Sequence, residues 1–362
     1  MISMKRVWLL LVFIAVQSPS MAATLSAPAS LNDGWAVAEP AMTGMVEARI
    51  EEALALIADK KQQEIDSLLL ARDGKLVVER YWKKAAQDRP HDLRSATKSI
   101  TGLLVGIAIE RGLIHSLDEP VATFFPDYVT KPSQAHFHAI TVRHLLEMSS
   151  GLAADDWNPK SPGNEERMYR SKDWLGFFFS LPQAEPPGKN FHYCTAGVVI
   201  LGEIIARASG QSLEKFAAEQ LFSPLGIHEV LWAKAPKGVL DAGGHLQLRT
   251  RDFLKIGQLM ADHGRWHGQQ VVPESWAIAS LKISHFMPGA MSTGPAFGFL
   301  WWLEPIEGER VKSFQARGNG GQFLIIVPEK KLVAAFTGEA FNDSRQLFPF
   351  QLMVTHLIPA AQ

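Results

Sequence analysis

The sequence predicts a mixed α/β protein of the α+β type: an antiparallel sheet built from both ends of the chain, flanked by helices, with a mostly helical subdomain inserted. Three observations carry this. A hairpin signal lies early, where the apolar runs at residues 67–71 and 76–81 flank Asp73-Gly74. The middle, from about Ser116 to Lys237, reads as helical but is broken by Pro120, Pro126, Pro159, Pro162, Pro182, Pro186-Pro187 and Pro224, which keeps its helices short. The last third turns to β-branched and aromatic runs at residues 297–303, 323–327 and 332–337. Strands at both ends of a helical middle point to one shared sheet with helices on its faces. The expected division is residues 23–115 and 238–362 as the sheet subdomain and 116–237 as the helical one.

The helices follow from spacing. Residues 46–60 read as an amphipathic helix, and residues 250–263 and 346–357 as two more near the end. The most apolar helix opens at Ser95 and stops at Gly112, and Ile100, Leu103, Leu104, Ile107 and Leu113 place it against a core. No internal repeat or low-complexity segment interrupts this plan.

A chain of 362 residues, 47% hydrophobic and 20% charged, has room for one large core or two joined subdomains and is neither disordered nor fibrous. Its N-terminus carries Lys5 and Arg6, an apolar stretch at residues 7–16, and Ser20-Met21-Ala22 before Ala23. That pattern predicts a signal peptide over residues 1–22, and with it an exported protein, periplasmic or secreted. The apolar stretch falls short of the roughly 20 residues a bilayer span needs, so no integral membrane span is expected after cleavage. Cleavage removes two cations and moves the formal charge from −1 to −3, a near-neutral balance that argues against nucleic acid as a partner. The single cysteine, Cys194, permits neither an internal disulfide nor a lipid-modified N-terminal cysteine. Oligomeric state is not legible in these features.

The tetrad Ser95-Ala96-Thr97-Lys98 supplies a nucleophile and its base one helical turn apart, on one face. A serine needs such a base, and lysine, with an ordinary pKa of about 10.4, serves near neutrality only where burial or a neighbouring cation disfavours its charge. The apolar residues that follow predict burial. A second S-x-x-K, Ser212-Leu213-Glu214-Lys215, reads instead as an N-cap with an exposed first turn. Ser95 alone admits the same reading, and only the rest of the chain separates the two.

Catalysis by Ser95 and Lys98 also requires a proton carrier and paired oxyanion donors. Tyr193 ends a loop that begins at Pro186-Pro187-Gly188 and stands directly before the apolar run at residues 198–206. Beside a lysine cation its phenol ionises more readily and, as phenolate, can accept the serine proton; a tyrosine packed at a helix start fits the same position. Arg317-Gly318-Asn319-Gly320-Gly321-Gln322 precedes an apolar strand, and its glycines let backbone approach a ligand beside the N–H of Ser95. A plain turn before an edge strand fits those residues too.

Taken in order, these pieces resemble the β-lactamase-related serine hydrolases, which include class C β-lactamases, D,D-peptidases, related esterases and the aminohexanoate-dimer hydrolases. The resemblance runs from about Trp35 to the end. It rests on the stretch from His91 through Ser95 and Lys98 to Ser99, on residues 141–152, on Pro187-Gly188 through Tyr193 to Glu203, and on Thr250-Arg251-Asp252 through Gly257. The resemblance implies a β-lactamase/transpeptidase-like fold, Ser95 as acylated nucleophile, Lys98 as its partner, and Tyr193 as the start of the second motif, Tyr-x-Asn. Asn319, Gly320 and Gly321 then fall where the third motif is expected, and Gln322 would give the second oxyanion N–H. It implies a small-molecule ester or amide substrate, and neither a cofactor nor a metal.

Two departures bear on the substrate. Thr195 replaces the asparagine of the second motif, exchanging a side-chain amide for a hydroxyl with fewer donors. Asn319 replaces the cation of the third, so a substrate carboxylate loses a charge-assisted partner unless Arg317 or Lys312 substitutes. Both tilt the expectation toward ester or linear amide hydrolysis, with a β-lactamase or D,D-carboxypeptidase as the alternative. A protein that is acylated without turnover, as sensor or scaffold, is the alternative of another class.

Other designs find less support. G-x-S-x-G and His-Glu-x-x-His are both absent, and His136-Phe137-His138 reads as a partly exposed strand or loop. Cys194 reads as a small buried hydrophobe, and His192 as a loop residue. Tyr169, Asp173 and Trp174 fit either a pocket lining or ordinary packing, and Trp301-Trp302 is expected to pack on the sheet.

Overall fold

The first strands, β1 (Ala36–Val37), β2 (Ile65–Arg72) and β3 (Lys75–Tyr81), are followed by a small antiparallel sheet of β4 (His91–Asp92), β5 (Leu231–Trp232) and β6 (Leu246–Leu248). β7 (Arg265–Trp266) and β8 (Gln269–Gln270) form a separate pair. The chain then supplies β9 (His285–Phe286), β10 (Ala296–Phe297), β11 (Trp302–Pro305), β12 (Lys312–Gly318), β13 (Gln322–Val327) and β14 (Leu332–Gly338). Strands from both ends meet in one nine-stranded sheet of order β1-β3-β2-β14-β13-β12-β11-β10-β9. The computed structural model describes residues 25–59, 64–289, 294–305 and 312–362, and the predicted leader at residues 1–22 lies outside them.

Local chemistry explains the hairpins. Asp73 and Gly74 have φ of 49° and 73°, the left-handed pair a two-residue turn needs to match the twist of its strands, and Arg72 faces Lys75 across it. β2, β13 and β14 are buried along their whole length, which is why residues 68–71, 323–327 and 332–336 run continuously apolar rather than alternating. One face is covered by α1 (Glu47–Ala58) and by the chain end, where Ile50, Ile57, Leu352 and Leu357 meet Phe323, Ile325 and Phe336. The other face packs on α2 (Thr97–Glu110) and on α9 (Thr250–Ala261).

Between them lie α3 (Val121–Phe124), α4 (Val142–Leu146), α5 (Glu165–Arg170), α6 (Trp174–Phe178), α7 (Thr195–Ser209) and α8 (Leu213–Ala217). All but the 15-residue α7 have six residues or fewer, as the prolines require. Ser212 is the N-cap of α8, accepting from the Lys215 N–H, and Lys215 is exposed.

Three expectations needed correction. The apolar run at residues 297–303 is not one strand: Phe297 ends β10, Trp302 begins β11, and the two face each other antiparallel. Leu300 at φ 62° makes the reversal, which hydrophobicity alone cannot distinguish from a continuous strand. The segment at residues 136–138 closes a 3-10 helix (Pro132–His138) with Phe137 buried, instead of forming a strand or loop. The last helix is composite, a 3-10 turn, a short α segment and a π turn ending at Leu357, with Pro349 interrupting regular hydrogen bonding.

Candidate active site

α2 begins at Thr97, two residues later than its apolar pattern suggests, and Ser95 sits in the 3-10 turn that enters it (Arg94–Ala96). The turn keeps Ser95 half-exposed while Lys98, on the first turn of the α-helix, is buried. The Lys98 Nζ donates to Ser95 Oγ at 3.1 Å and to the Gly243 carbonyl at 2.6 Å. Tyr193 closes on the same pair: its ring centre stands 4.9 Å from Lys98 Nζ, and the Ser95 hydroxyl is near enough to draw the phenol pKa down. Ser95, Lys98 and Tyr193, the last remote in sequence from the other two, therefore meet in one place.

Charge in this site departs from the expectation that burial would discharge Lys98. Burial pulls the ammonium down, but Tyr193, Glu165, Asp156 and Asp241 outweigh it and hold Lys98 above the ordinary lysine value. The Tyr193 phenol is also raised: burial lifts it, Lys98 and the nearby Ser95 hydroxyl draw it down, and Glu165 and Asp156 push it back up. Burial, reinforced by Glu165, pushes Asp156 up to about 6, and burial raises Asp241 as well. At rest the site holds a lysine cation, a neutral phenol and a shell of carboxylates.

That shell is what sequence reasoning missed. Asp156 accepts from the N–H groups of Glu165 and Thr195 at 2.7 and 2.6 Å, and Asp241 accepts from the Tyr169 hydroxyl at 3.1 Å and the Gly243 N–H at 3.2 Å. Gly243 tolerates no side chain, since a Cβ there would lie 2.6 Å from Thr195 Cγ2. The only sequence signal was the turn composition of Asp241-Ala242-Gly243-Gly244. Trp157 and Trp302 were missed as neighbours of Tyr193: the Trp157 ring lies parallel to the phenol at 5.5 Å, and Trp302 is 6.0 Å from it.

The remaining candidates are placed less directly. Thr195 is fully buried and its hydroxyl donates to Glu165 at 2.6 Å, so it does not line the opening. Asn319 is tied by its side chain to Asn342. Gly320 and Gly321, at φ 97° and 94°, make the β12–β13 turn, and a Cβ at Gly320 would lie 2.5 Å from Phe341. Gln322 is the cross-strand neighbour of Gly318, and its amide is spent on the N–H and carbonyl of Gly338. The residue brought against the Ser95 turn is Gly318 instead, where a Cβ would lie 2.2 Å from the Leu93 carbonyl. The β11–β12 ladder ends at Trp302 and Gln315, so β12 runs past its partner over residues 316–318.

Arg317 does not face the opening as a spare cation: it is paired with Glu304 at 2.7 Å and stacked on Trp302. Lys312 lies at the opposite end of β12, across from Pro305. Burial pushes the Cys194 thiol up to about 12, and its sulfur caps α7 by accepting from the Gly197 N–H, a packing role. His192 pairs with Glu185. Tyr169 backs Asp241, Asp173 caps α6, and Trp174 is buried beside Tyr169.

A helix-borne Ser-x-x-Lys under a mixed sheet, with a tyrosine from the helical region meeting it, defines a serine hydrolase of β-lactamase/transpeptidase-like fold. The chain belongs to the Beta-lactamase family, whose model matches residues 48–347. It is 25% identical to the 6-aminohexanoate-dimer hydrolase of Paenarthrobacter ureafaciens, over 60% of this chain and 57% of that one. It is 27% identical to the esterase EstB of Burkholderia gladioli, over 69% of this chain and 62% of that one. The octameric penicillin-binding protein homologue from Pyrococcus abyssi superposes with a TM-score of 0.65 at 20% identity, covering 86% of this chain and 76% of that one, which shows the shared fold.

Proposed function

We propose that the protein hydrolyses an ester or a linear amide of a small molecule through an acyl-enzyme on Ser95. The observation that carries this is the Ser95 hydroxyl held by Lys98 Nζ at 3.1 Å, with the Tyr193 ring centre 4.9 Å from that same Nζ. Because Lys98 is a cation and Tyr193 neutral at rest, the reactive form is the one that has lost a proton from this pair. In it, Tyr193 as phenolate beside the Lys98 ammonium takes the Ser95 proton while Oγ attacks the carbonyl. The same proton passes to the leaving oxygen or nitrogen, and water then repeats the sequence on the acyl-enzyme. The oxyanion is received by the Ser95 N–H and by a second backbone N–H at the β12–β13 turn, near Gly318 and Gln322.

Substrate preference follows from the two committed side chains. With Thr195 bonded to Glu165 and Asn319 bonded to Asn342, neither offers the amide or the charge that the related motifs supply. That weighs toward esters and linear amides over β-lactams and D-alanyl peptides, and the esterase and amide hydrolase among the relatives agree with it. The leader pattern at residues 1–22 supports export, and among the described residues no helix is long and apolar enough to cross a membrane. The test is a pre-steady-state assay with p-nitrophenyl esters and mass spectrometry of the intact protein. Continued hydrolysis with a transient adduct on Ser95, lost in Ser95→Ala, is the expected result. A stoichiometric burst without turnover assigns a sensor, and no adduct with esters, amides or nitrocefin overturns the reading.

A further inference from the structure

We infer that Arg94, the residue before the nucleophile, binds an anionic group of the substrate, so that the substrates are esters or amides bearing a carboxylate a few bonds from the scissile carbonyl. This rests on Ser95 being the nucleophile. Arg94 holds a backbone φ of 49°, unusual for a side-chain-bearing residue, and its side chain is 34% exposed, next in the chain to the partly exposed Ser95. The guanidinium is laid over the Phe341 ring at 4.7 Å. Its fork is only partly engaged: Nη1 contacts His245 Nε2 at 3.4 Å, while Nε is ion-paired with Asp92 at 3.4 Å without hydrogen-bond geometry. The nearest carboxylate, Asp92, stands 3.4 Å from Nε but spends its oxygens elsewhere: Oδ1 accepts from the Arg94 N–H at 2.9 Å and Oδ2 from His245 Nδ1 at 2.8 Å.

An arginine fork with donors to spare, on the residue next to the nucleophile, matches a carboxylate in shape and charge. The alternatives are already used, since Arg317 is neutralised by Glu304, Lys98 is buried among carboxylates, and Lys312 is at the far end of its strand. Charge-assisted recognition has thus moved from β12 to the turn that carries the nucleophile.

The experiment compares two esters of equal length, 4-nitrophenyl pentanoate and the 4-nitrophenyl half-ester of glutaric acid, on wild type, Arg94→Gln and Arg94→Lys. The half-ester is expected to have the higher kcat/KM at low salt. Arg94→Gln should lower its kcat/KM about tenfold to a hundredfold through KM, with the neutral ester changed by less than threefold and Arg94→Lys in between. Binding is read separately in Ser95→Ala by calorimetry with glutaric acid monomethyl ester against methyl pentanoate, so the outcome does not depend on turnover. Equal affinity for the two probes, or loss of both activities together in an Arg94→Gln protein of unchanged Tm, overturns the inference. Absence of hydrolysis with selective, Arg94-dependent binding of the anionic probe keeps Arg94 as the anion site while overturning the ester or amide substrate class together with the hydrolase reading.

Discussion

The hydroxyl of Thr195 donates to Glu165 at 2.6 Å, and the Thr195 N–H donates to Asp156 at the same distance, so this one residue ties two carboxylates of the shell behind Lys98. It also fixes the meaning of a small residue in the second motif: Thr195 Cγ2 lies so near Gly243 that a Cβ added there would stand at 2.6 Å. Thr195→Val should therefore cost about 1 kcal/mol by removing the hydrogen bond to a partly buried acceptor. Thr195→Asn should cost at least as much, because the larger amide meets the Gly243 backbone, and should bring no nitrocefin hydrolysis. Chemical denaturation and a nitrocefin assay check both, and a stable Thr195→Asn with β-lactamase activity contradicts the packing argument.

Lys98→Met removes the one ammonium that offsets Asp156 and Asp241 as well as a member of the proton relay. Loss of a positioned acid–base group lowers turnover by about 10²–10⁴. Lys98 draws both carboxyls down, so without it they titrate higher still. The variant should lose more stability at pH 8 than at pH 5, as measured by Tm across pH, and retained activity at either pH rejects the assignment of Lys98.

Because both Lys98 and Tyr193 are held above their ordinary values, the proton that must leave the pair is retained past neutrality. kcat/KM for a p-nitrophenyl ester, corrected for spontaneous hydrolysis, should climb with pH into the alkaline range without a plateau at pH 7. Tyr193→Phe should abolish the climb together with most of the activity. A flat profile from pH 6 to 9 rejects the pair as the site of that proton.

Ser95, Lys98 and Tyr193 were legible because motif order and spacing are one-dimensional properties: an i, i+3 pair on a helix, and a tyrosine before another helix. The sheet was legible for the same reason, through the Asp73-Gly74 turn and the fully apolar β13 and β14. Asp156, Glu165 and Asp241 were not, since a buried carboxylate has no periodicity and shows itself only when the Lys98 ammonium and the Thr195 N–H are seen to face it. The turn after β12 misled for a related reason. Gly320 and Gly321 read as ligand-facing glycines, whereas their φ values serve the reversal and the close approach falls to Gly318. Leu300, an apolar residue at φ 62°, concealed another reversal inside what reads as a strand.

The raised Asp156 makes a stability prediction with a definite sign. Its carboxyl moves from 3.8 to about 6 on folding, so the folded state holds its proton more tightly than the unfolded one. The favourable contribution is present in full below pH 4 and is lost as pH rises through about 6, by an amount on the order of 3 kcal/mol. Asp156→Asn should flatten the dependence of unfolding free energy on pH between 4 and 6, at some cost because an amide cannot accept from both the Glu165 and Thr195 N–H groups. An unchanged slope in urea unfolding at pH 4, 5 and 6 would falsify the shift.

Trp157 connects exposure at the rim to the chemistry beneath. Its ring is 52% exposed, yet lies parallel to the Tyr193 ring at 5.5 Å and 6.3 Å from Trp302, so it screens the phenol from water. Burial is the largest cause lifting Tyr193, and that cause weakens when the cover is removed. Trp157→Ala should shift the alkaline limb of the kcat/KM profile to lower pH, and should raise KM for aromatic esters through loss of a stacking surface. Trp157→Phe, keeping a ring over the phenol, should restore most of both. Stability should change little, because half of the side chain already meets solvent. A pH limb that stays in place in Trp157→Ala while KM rises would separate the two effects, leaving Trp157 as a substrate contact with no influence on the Tyr193 proton.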